Sequence, residues 1–263
     1  MTSSLVHPQQ LPQTTRDWAE IQERMLVPLY ESVYERLEVG PHTRLLGLGC
    51  GSGLALLLAA ARGAAVTGTD TDEARLALAR ARLLPEPQWG TQAWSVRLAC
   101  GGPEDVPDGP PHNLVTAFDI RPSVRSLAAA AEQAERGSPV VLADWGPAER
   151  CAATPALRVA ARLAEPLHAH ECWRPCGRDD LEEVARRAGL RPDGSGRVAC
   201  PFGYADLESA VRGLLSTGFY EAAIQATDRE QVSKELAEAL QPHVRADGTV
   251  WLANLFRYVI ARV

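Results

Sequence analysis

Four glycines at alternate positions, Gly47, Gly49, Gly51 and Gly53, follow the apolar pair Leu45 and Leu46 and lead into the leucine- and alanine-rich stretch 54–61. An apolar run that ends in such a turn and continues into a helix-forming segment is a strand–turn–helix unit. Glycines there let the backbone take positive φ and come close to a ligand. The helix that follows aims its N-terminal amides at a negative group. The dinucleotide pattern G-x-G-x-x-G fails in every register, because its last glycine is Ser52 counted from Gly47 and Leu54 counted from Gly49. Alternate glycines with an acid closing the next strand, about 20 residues on, fit instead. Asp70, at the end of Val66-Thr67-Gly68-Thr69, is that acid, and a carboxylate there can accept both hydroxyls of a ribose.

The surrounding pattern alternates regularly. Strands are expected at 44–48, 65–69, 94–98, 114–118 and 139–143, with helices at 54–62, 71–83 and 123–136 between them. Strands separated by helices in this way make βαβ units and a largely parallel sheet. Beyond Asp144 the alternation stops. Residues 147–177 read as irregular or partly helical, 179–188 as a helix closed by Gly189, and 198–202 as a strand. Three helical segments through about residue 240 and a long strand over 249–261 complete the chain. Upstream, Thr15 is expected to cap a helix from Arg16 whose stripe is Trp18, Ile21, Met25 and Leu26, with Pro28 breaking or kinking it before a second helix over 30–37. The fold expected is therefore α/β and Rossmann-like, with a seven-stranded, mostly parallel sheet and helical cap insertions. Residues 1–40 are read as a helical lid, 41–146 as the ligand-binding core, and 147–263 as the remaining core strands with a substrate cap.

Composition narrows the function classes. The net charge of −6 comes from acids spread along the chain, which argues against a nucleic-acid partner. The longest uncharged stretch, 45–61, carries the alternating glycines and suits a strand–turn–helix better than a membrane span, so no membrane partner is expected. Residues 1–10 lack a charged leader and an apolar core, so no signal peptide is expected. The six cysteines have no secreted-scaffold spacing, and the expected location is the cytoplasm.

With these features in place, the sequence resembles the class I S-adenosylmethionine (SAM)-dependent methyltransferases, in particular those that act on small molecules in natural-product pathways. The resemblance rests on residues 44–53, on 68–72, on the loop Gly101-Gly102-Pro103-Glu104-Asp105-Val106-Pro107 and on Asn113-Leu114-Val115-Thr116-Ala117-Phe118-Asp119. It implies SAM as cofactor and a small-molecule acceptor, in secondary metabolism such as antibiotic biosynthesis. It further implies that Gly49, Cys50, Gly51 and Gly53 lie against the methionine and ribose portions, that Asp70 binds the ribose hydroxyls and that Thr71 flanks the adenine. Glu104 and Asp105 would border the adenine edge, Phe118 would sit near the sulfonium, and Trp18 and Gln22 would close over the cofactor as a lid. Three departures stand out. The family usually has an acid where Gly47 stands, and an aspartate where Gly102 stands, followed here by Pro103. A buried cofactor group left without its partner costs about 1–3 kcal/mol.

Other residues carry further readings. Asp119 follows the fourth strand and Trp145 the fifth, so both are candidates to face the acceptor: Asp119 as a catalytic, orienting or proton-accepting group, and Trp145 as a pocket wall. The alternative for Asp119 is capping the next helix. Tyr30, Tyr34, Tyr204 and Tyr220 are aromatic candidates for the cap, Tyr30 and Tyr204 foremost, with core packing as the alternative for each. His168, His170, Cys172 and Cys176 are zinc-ligand types without the spacing of a zinc module, so no metal is expected, and His170 or His168 is instead a candidate proton acceptor. Methyl transfer needs little acid–base machinery, since positioning supplies much of the acceleration. Two other readings are an enzyme that closes a ring on the same scaffold without donating the methyl, of cyclase or cyclopropanase type, and a non-enzymatic subunit. A homodimer is left open.

Overall fold

A computed structural model describes residues 11–84, 94–118, 123–168, 172–177 and 179–263. Its centre is a seven-stranded sheet in the order β3-β2-β1-β4-β5-β9-β6. The strands are β1 (Arg44–Leu48), β2 (Ala65–Asp70), β3 (Val96–Cys100), β4 (Leu114–Ala117), β5 (Pro139–Trp145), β6 (Arg191–Ala199) and β9 (Leu255–Arg262). β1 to β5 run parallel, and β9 lies antiparallel between β5 and β6. The sheet is seven-stranded and mostly parallel, as expected. Every residue of β4 is buried, and β1 and β5 are buried beyond their first residue, as strands covered by helices on both faces must be.

The helices are α1 (Gln13–Asp17), α2 (Val27–Arg36), α3 (Leu54–Ala61), α4 (Glu73–Leu83), α5 (Val124–Glu132), α6 (Thr154–Leu163), α7 (Asp180–Arg187), α8 (Leu207–Leu215), α9 (Glu221–Ala226) and α10 (Arg229–Leu240). Four of them start where a side chain accepts from a free amide of the first turn. Asp72 accepts from Ala74 and Arg75, Ser123 from Ser126, Asp206 from Ser209 and Asp228 from Gln231. Helices α6, α9 and α10 pack together, and α8 packs on the N-terminal segment. Among the described residues no helix is long and apolar enough to cross a membrane.

Several boundaries differ from expectation. Thr15 is not a cap; α1 begins at Gln13 and Thr15 is buried inside it. Pro28 does not end a helix. The chain stays helical from α1 through a π-helical turn, Trp18–Gln22, and a 3-10 turn, Glu23–Leu26, and Pro28 sits in the first turn of α2, where a missing N–H costs nothing. β3 starts two residues later than expected. The strand expected at 198–202 is really two strands, β6 and the short β7 (Phe202–Tyr204). The C-terminal strand is likewise split into β8 (Val250–Leu252), which pairs with β7 in a separate ribbon, and β9. The split falls at Asn254, which is buried. Its side-chain oxygen accepts from the Ala153 amide (3.0 Å) and its carbonyl from the Cys200 amide (2.9 Å).

Candidate functional site

The carboxyl ends of β1, β2, β4 and β5 emerge at one edge of the sheet, where open parallel sheets bind ligands. Gly49, Gly51 and Gly53, at φ 58°, 56° and 80°, carry the chain from β1 into α3. The turn is tied to β2 by the Cys50 amide, which donates to the Thr69 carbonyl at 2.9 Å. Asp70 fixes it further. One carboxylate oxygen accepts from the Gly51 amide and the other from the Asp72 amide, both at 2.8 Å. Each oxygen has a second lone pair, so the group is held in direction and can still accept from a ligand.

Two cavities meet at this turn and share Leu48 and Gly49. The outer one is bordered by Asp70, Thr71, Gly101, Gly102, Pro103 and Ser123. Glu104 and Asp105 are exposed on its rim and line neither cavity. Asp105 turns back to accept from the Gly102 amide at 2.9 Å and so shapes the loop. Gly53 lines neither cavity. Its missing side chain lets α4 approach, since a Cβ there would stand 3.0 Å from the Ala79 methyl.

The inner cavity lies beneath the N-terminal segment. Trp18, Gln22, Gly49, Cys50, Gly51, Tyr30, Phe118 and Trp145 all border it, which brings most of the expected residues together. Burial, with the Asp70 and Glu23 charges nearby, raises the Cys50 thiol pKa, so it stays protonated. Trp18 rests beside the turn, and a Cβ on Gly51 would come within 3.2 Å of its indole nitrogen. That nitrogen is buried and has no hydrogen-bond partner among the described residues. The segment is fastened at three points. Arg212 grips the buried Asp17 carboxylate, the Tyr204 hydroxyl donates to Gln22 at 2.9 Å, and Glu23 reaches the start of α3.

Glu23 and Arg75 are the charged site residues that reading the sequence missed, beside the apolar walls Phe202, Phe219 and Phe256. Glu23 is 2% exposed and accepts from the Ser52 hydroxyl, from Arg82 at 2.8 Å and from the Leu54 amide at 3.3 Å. The N-terminus of α3, expected to face a ligand's negative group, is thus met by the chain's own carboxylate. The available signal was an acid between Gln22 and the apolar pair Met25 and Leu26. Arg75 stacks on the Trp18 ring at 4.7 Å and donates to the Ser216 carbonyl at 3.1 Å. Gly47 is explained by packing. A Cβ there would lie 2.9 Å from the Leu56 side chain, so α3 covers this position.

Tyr204 does not line the inner cavity; it stands behind Gln22, and burial raises its pKa. Tyr34 and Tyr220 are core residues whose hydroxyls donate to the Ala55 and Ala156 carbonyls. Asp119 and His170 lie outside the described residues. His168 is exposed and Cys172 is buried. Burial and the neighbouring Asp144 push the Cys176 thiol up to about 12. Among the described residues no three potential metal ligands cluster.

Comparison with known proteins agrees with this architecture. Residues 46–136 match the family model described as "Methyltransferase domain". No curated protein sequence matches the chain. Among solved structures, a SAM-dependent methyltransferase from Thiobacillus denitrificans in complex with S-adenosyl-L-homocysteine aligns at 16% identity and a TM-score of 0.56, covering 95% of this chain and 97% of that one. YjhP from E. coli aligns at 18% identity and 0.56, over 95% and 100%. The [4+2]-cyclase SpnF aligns at 17% and 0.53, over 89% and 80%. At these identities the likeness is one of fold.

Proposed function

We propose that this chain, a member of the class I SAM-dependent methyltransferase fold family, binds SAM across its two cavities and transfers the methyl group to a small-molecule acceptor of the kind modified in secondary metabolism. The single observation that carries the reading is the junction of the cavities at Gly49, with a fixed carboxylate, Asp70, in one and an aromatic compartment in the other.

The residues present fit the cofactor. Asp70 would accept from the ribose hydroxyls, and Thr71, Gly102 and Pro103 would flank the base. The unpartnered Trp18 indole N–H and the Arg75 guanidinium form a donor set suited to the carboxylate of the methionine portion. When bound, SAM supplies an electrophilic methyl on a sulfonium. The work left to the chain is to hold the acceptor in line and to exclude water. The N-terminal segment, fastened by Asp17, Gln22 and Glu23, closes the cavity, and Tyr30, Phe118 and Trp145 wall the acceptor side. Asp119, next in the chain after Phe118, is the proposed orienting group for an acceptor hydroxyl.

Ring closure without methyl donation is the second reading, favoured by the fold likeness to a cyclase and by the glycine at position 47. Supplying SAM labelled in its methyl group, with an acceptor panel, separates the two. Label in the product and release of S-adenosylhomocysteine are expected. Product without label, at unchanged SAM, would replace methyl transfer by ring closure.

A further inference from the structure

The N-terminal segment lays a stripe of four residues over the inner cavity, Trp18, Gln22, Leu26 and Tyr30. Trp18 stands at the glycine turn, and Tyr30 meets Phe118 at 4.9 Å between ring centroids. Gln22 falls between them, 3% exposed, and its carboxamide is held one way round. Tyr204 is 2% exposed, burial keeps its hydroxyl protonated, and that hydroxyl donates to Gln22 Oε1 at 2.9 Å. With the amide turned over, the Tyr204 proton would have no acceptor among the described residues, and a buried donor is seldom left so. Gly213 makes room for the pair: a Cβ there would stand 2.9 Å from the Tyr204 ring and 3.0 Å from Gln22 Oε1. A glycine inside a helix weakens it, so α8 is locally less stable at the place that seats this amide.

The amide nitrogen is left over. Among the described residues Gln22 Nε2 has no hydrogen-bond partner, it is open to a water-sized atom, and the space Gln22 borders is the inner cavity. Its N–H donors therefore face that cavity with nothing of the described chain to receive them. On the floor, Thr116 pairs in register with Gly47 and also borders the cavity, and its buried hydroxyl is open in the same way. We propose that Gln22 binds the acceptor by donating to the oxygen of a hydroxyl group on it, a role that rests on the methyltransferase reading in naming the occupant the acceptor. A hydroxyl suits the position because it accepts and donates at once. It takes a hydrogen bond from Gln22 Nε2 and gives its own proton to Thr116 Oγ1 or to Asp119, the orienting group proposed above. The rings of Tyr30, Phe118 and Trp145 favour a molecule that carries this hydroxyl on a flat apolar frame.

The test uses three probes of similar shape, titrated by ligand-detected NMR into the full chain with S-adenosylhomocysteine. Toluene neither accepts nor donates, anisole only accepts, and phenol does both. Expected is about tenfold tighter binding of anisole than of toluene, with phenol no weaker than anisole. The double substitution Gln22→Met with Tyr204→Phe keeps the shape and leaves no orphaned hydroxyl, so anisole should fall to the toluene level while toluene and S-adenosylhomocysteine each change less than about threefold. Tyr204→Phe alone retains the amide and should keep an anisole preference of at least about threefold, which a purely structural role of the pair would not. Equal binding of anisole and toluene to the native chain would overturn the proposal. So would a preference that survives the double substitution, or phenol binding more weakly than anisole. A tenfold loss of S-adenosylhomocysteine affinity in the double variant would assign the Gln22 donors to the cofactor instead. Should that variant not fold, the native comparison of the three probes decides alone. If S-adenosylhomocysteine binds and the anisole preference is absent, the role of Gln22 fails and the function reading stands. If the preference is present and S-adenosylhomocysteine does not bind, the oxygen site stands and the function reading fails.

Discussion

Gly47 shows how one residue is constrained from two sides. It borders the inner cavity, and Leu56 of α3 fills the space its side chain would need. Placing an acid at this position, as the resembled family was expected to have, is therefore expected to harm this chain. Gly47→Asp should lower unfolding free energy by about 1–3 kcal/mol in a urea titration, because the side chain displaces a packed leucine. Unchanged stability would mean that Leu56 moves freely. Glu23 makes the opposite case, a buried charge answered by Arg82, by the Ser52 hydroxyl and by an amide of α3. Glu23→Gln keeps the shape but leaves Arg82 without its anion, and a loss of about 1–3 kcal/mol is expected by the same titration. At this scale Asp70 was legible, since a short polar residue closing an apolar strand has few other purposes. Glu23 was not, since its partners Ser52 and Arg82 lie 29 and 59 residues away.

Among the elements, the N-terminal segment is the one on which the proposed enclosure of the ligand depends. Its hydrogen bonding passes from α to π to 3-10 and back to α within residues 13–36, and π-turns of this kind gather at functional sites. Asp17 fastens it to α8 through Arg212. Arg212→Ala would leave the buried Asp17 carboxylate without its counterion, held only by the Gln13 amide, so hydrogen exchange over 13–26 should quicken at least about tenfold while the β1–β4 core keeps its protection. Equal protection of the segment in both proteins would remove Arg212 as its fastening. The segment also marks the limit of local pattern. A helix near Trp18 was readable from its apolar spacing, whereas its start at Gln13 and its changes of winding are set by contacts with α8 and the glycine turn. The same holds for β6. Pro192, Asp193, Gly194 and Gly196 argue against a strand, but β6 is an edge strand with alternating exposure, where such residues are tolerated. Gly196 also leaves room for the Tyr258 ring of β9 across it. By contrast β1, β2, β4 and β5 were legible almost to the residue, because doubly covered parallel strands are continuous apolar runs bounded by turns.

For the whole molecule, pH is the simplest global probe. His112 is 4% exposed, and burial lowers its pKa in the folded chain. As pH falls below about 6.5 the unfolded chain takes up a proton that the folded one refuses, so stability must drop on the acid side. Urea unfolding at pH 7.5 and 5.5 should show that drop, and His112→Phe should reduce it; an equal drop in the variant would assign the acid sensitivity elsewhere. At this scale the sheet edge, the N-terminal segment and the helices after β5 are proposed to enclose one ligand together. Calorimetric titration of SAM into the native chain and into Asp70→Ala tests this most directly. Expected is one site of about micromolar affinity in the native chain, weakened at least about tenfold in the variant as the proposed ribose contacts are lost. No binding to the native chain, or equal affinity in both proteins, would contradict it.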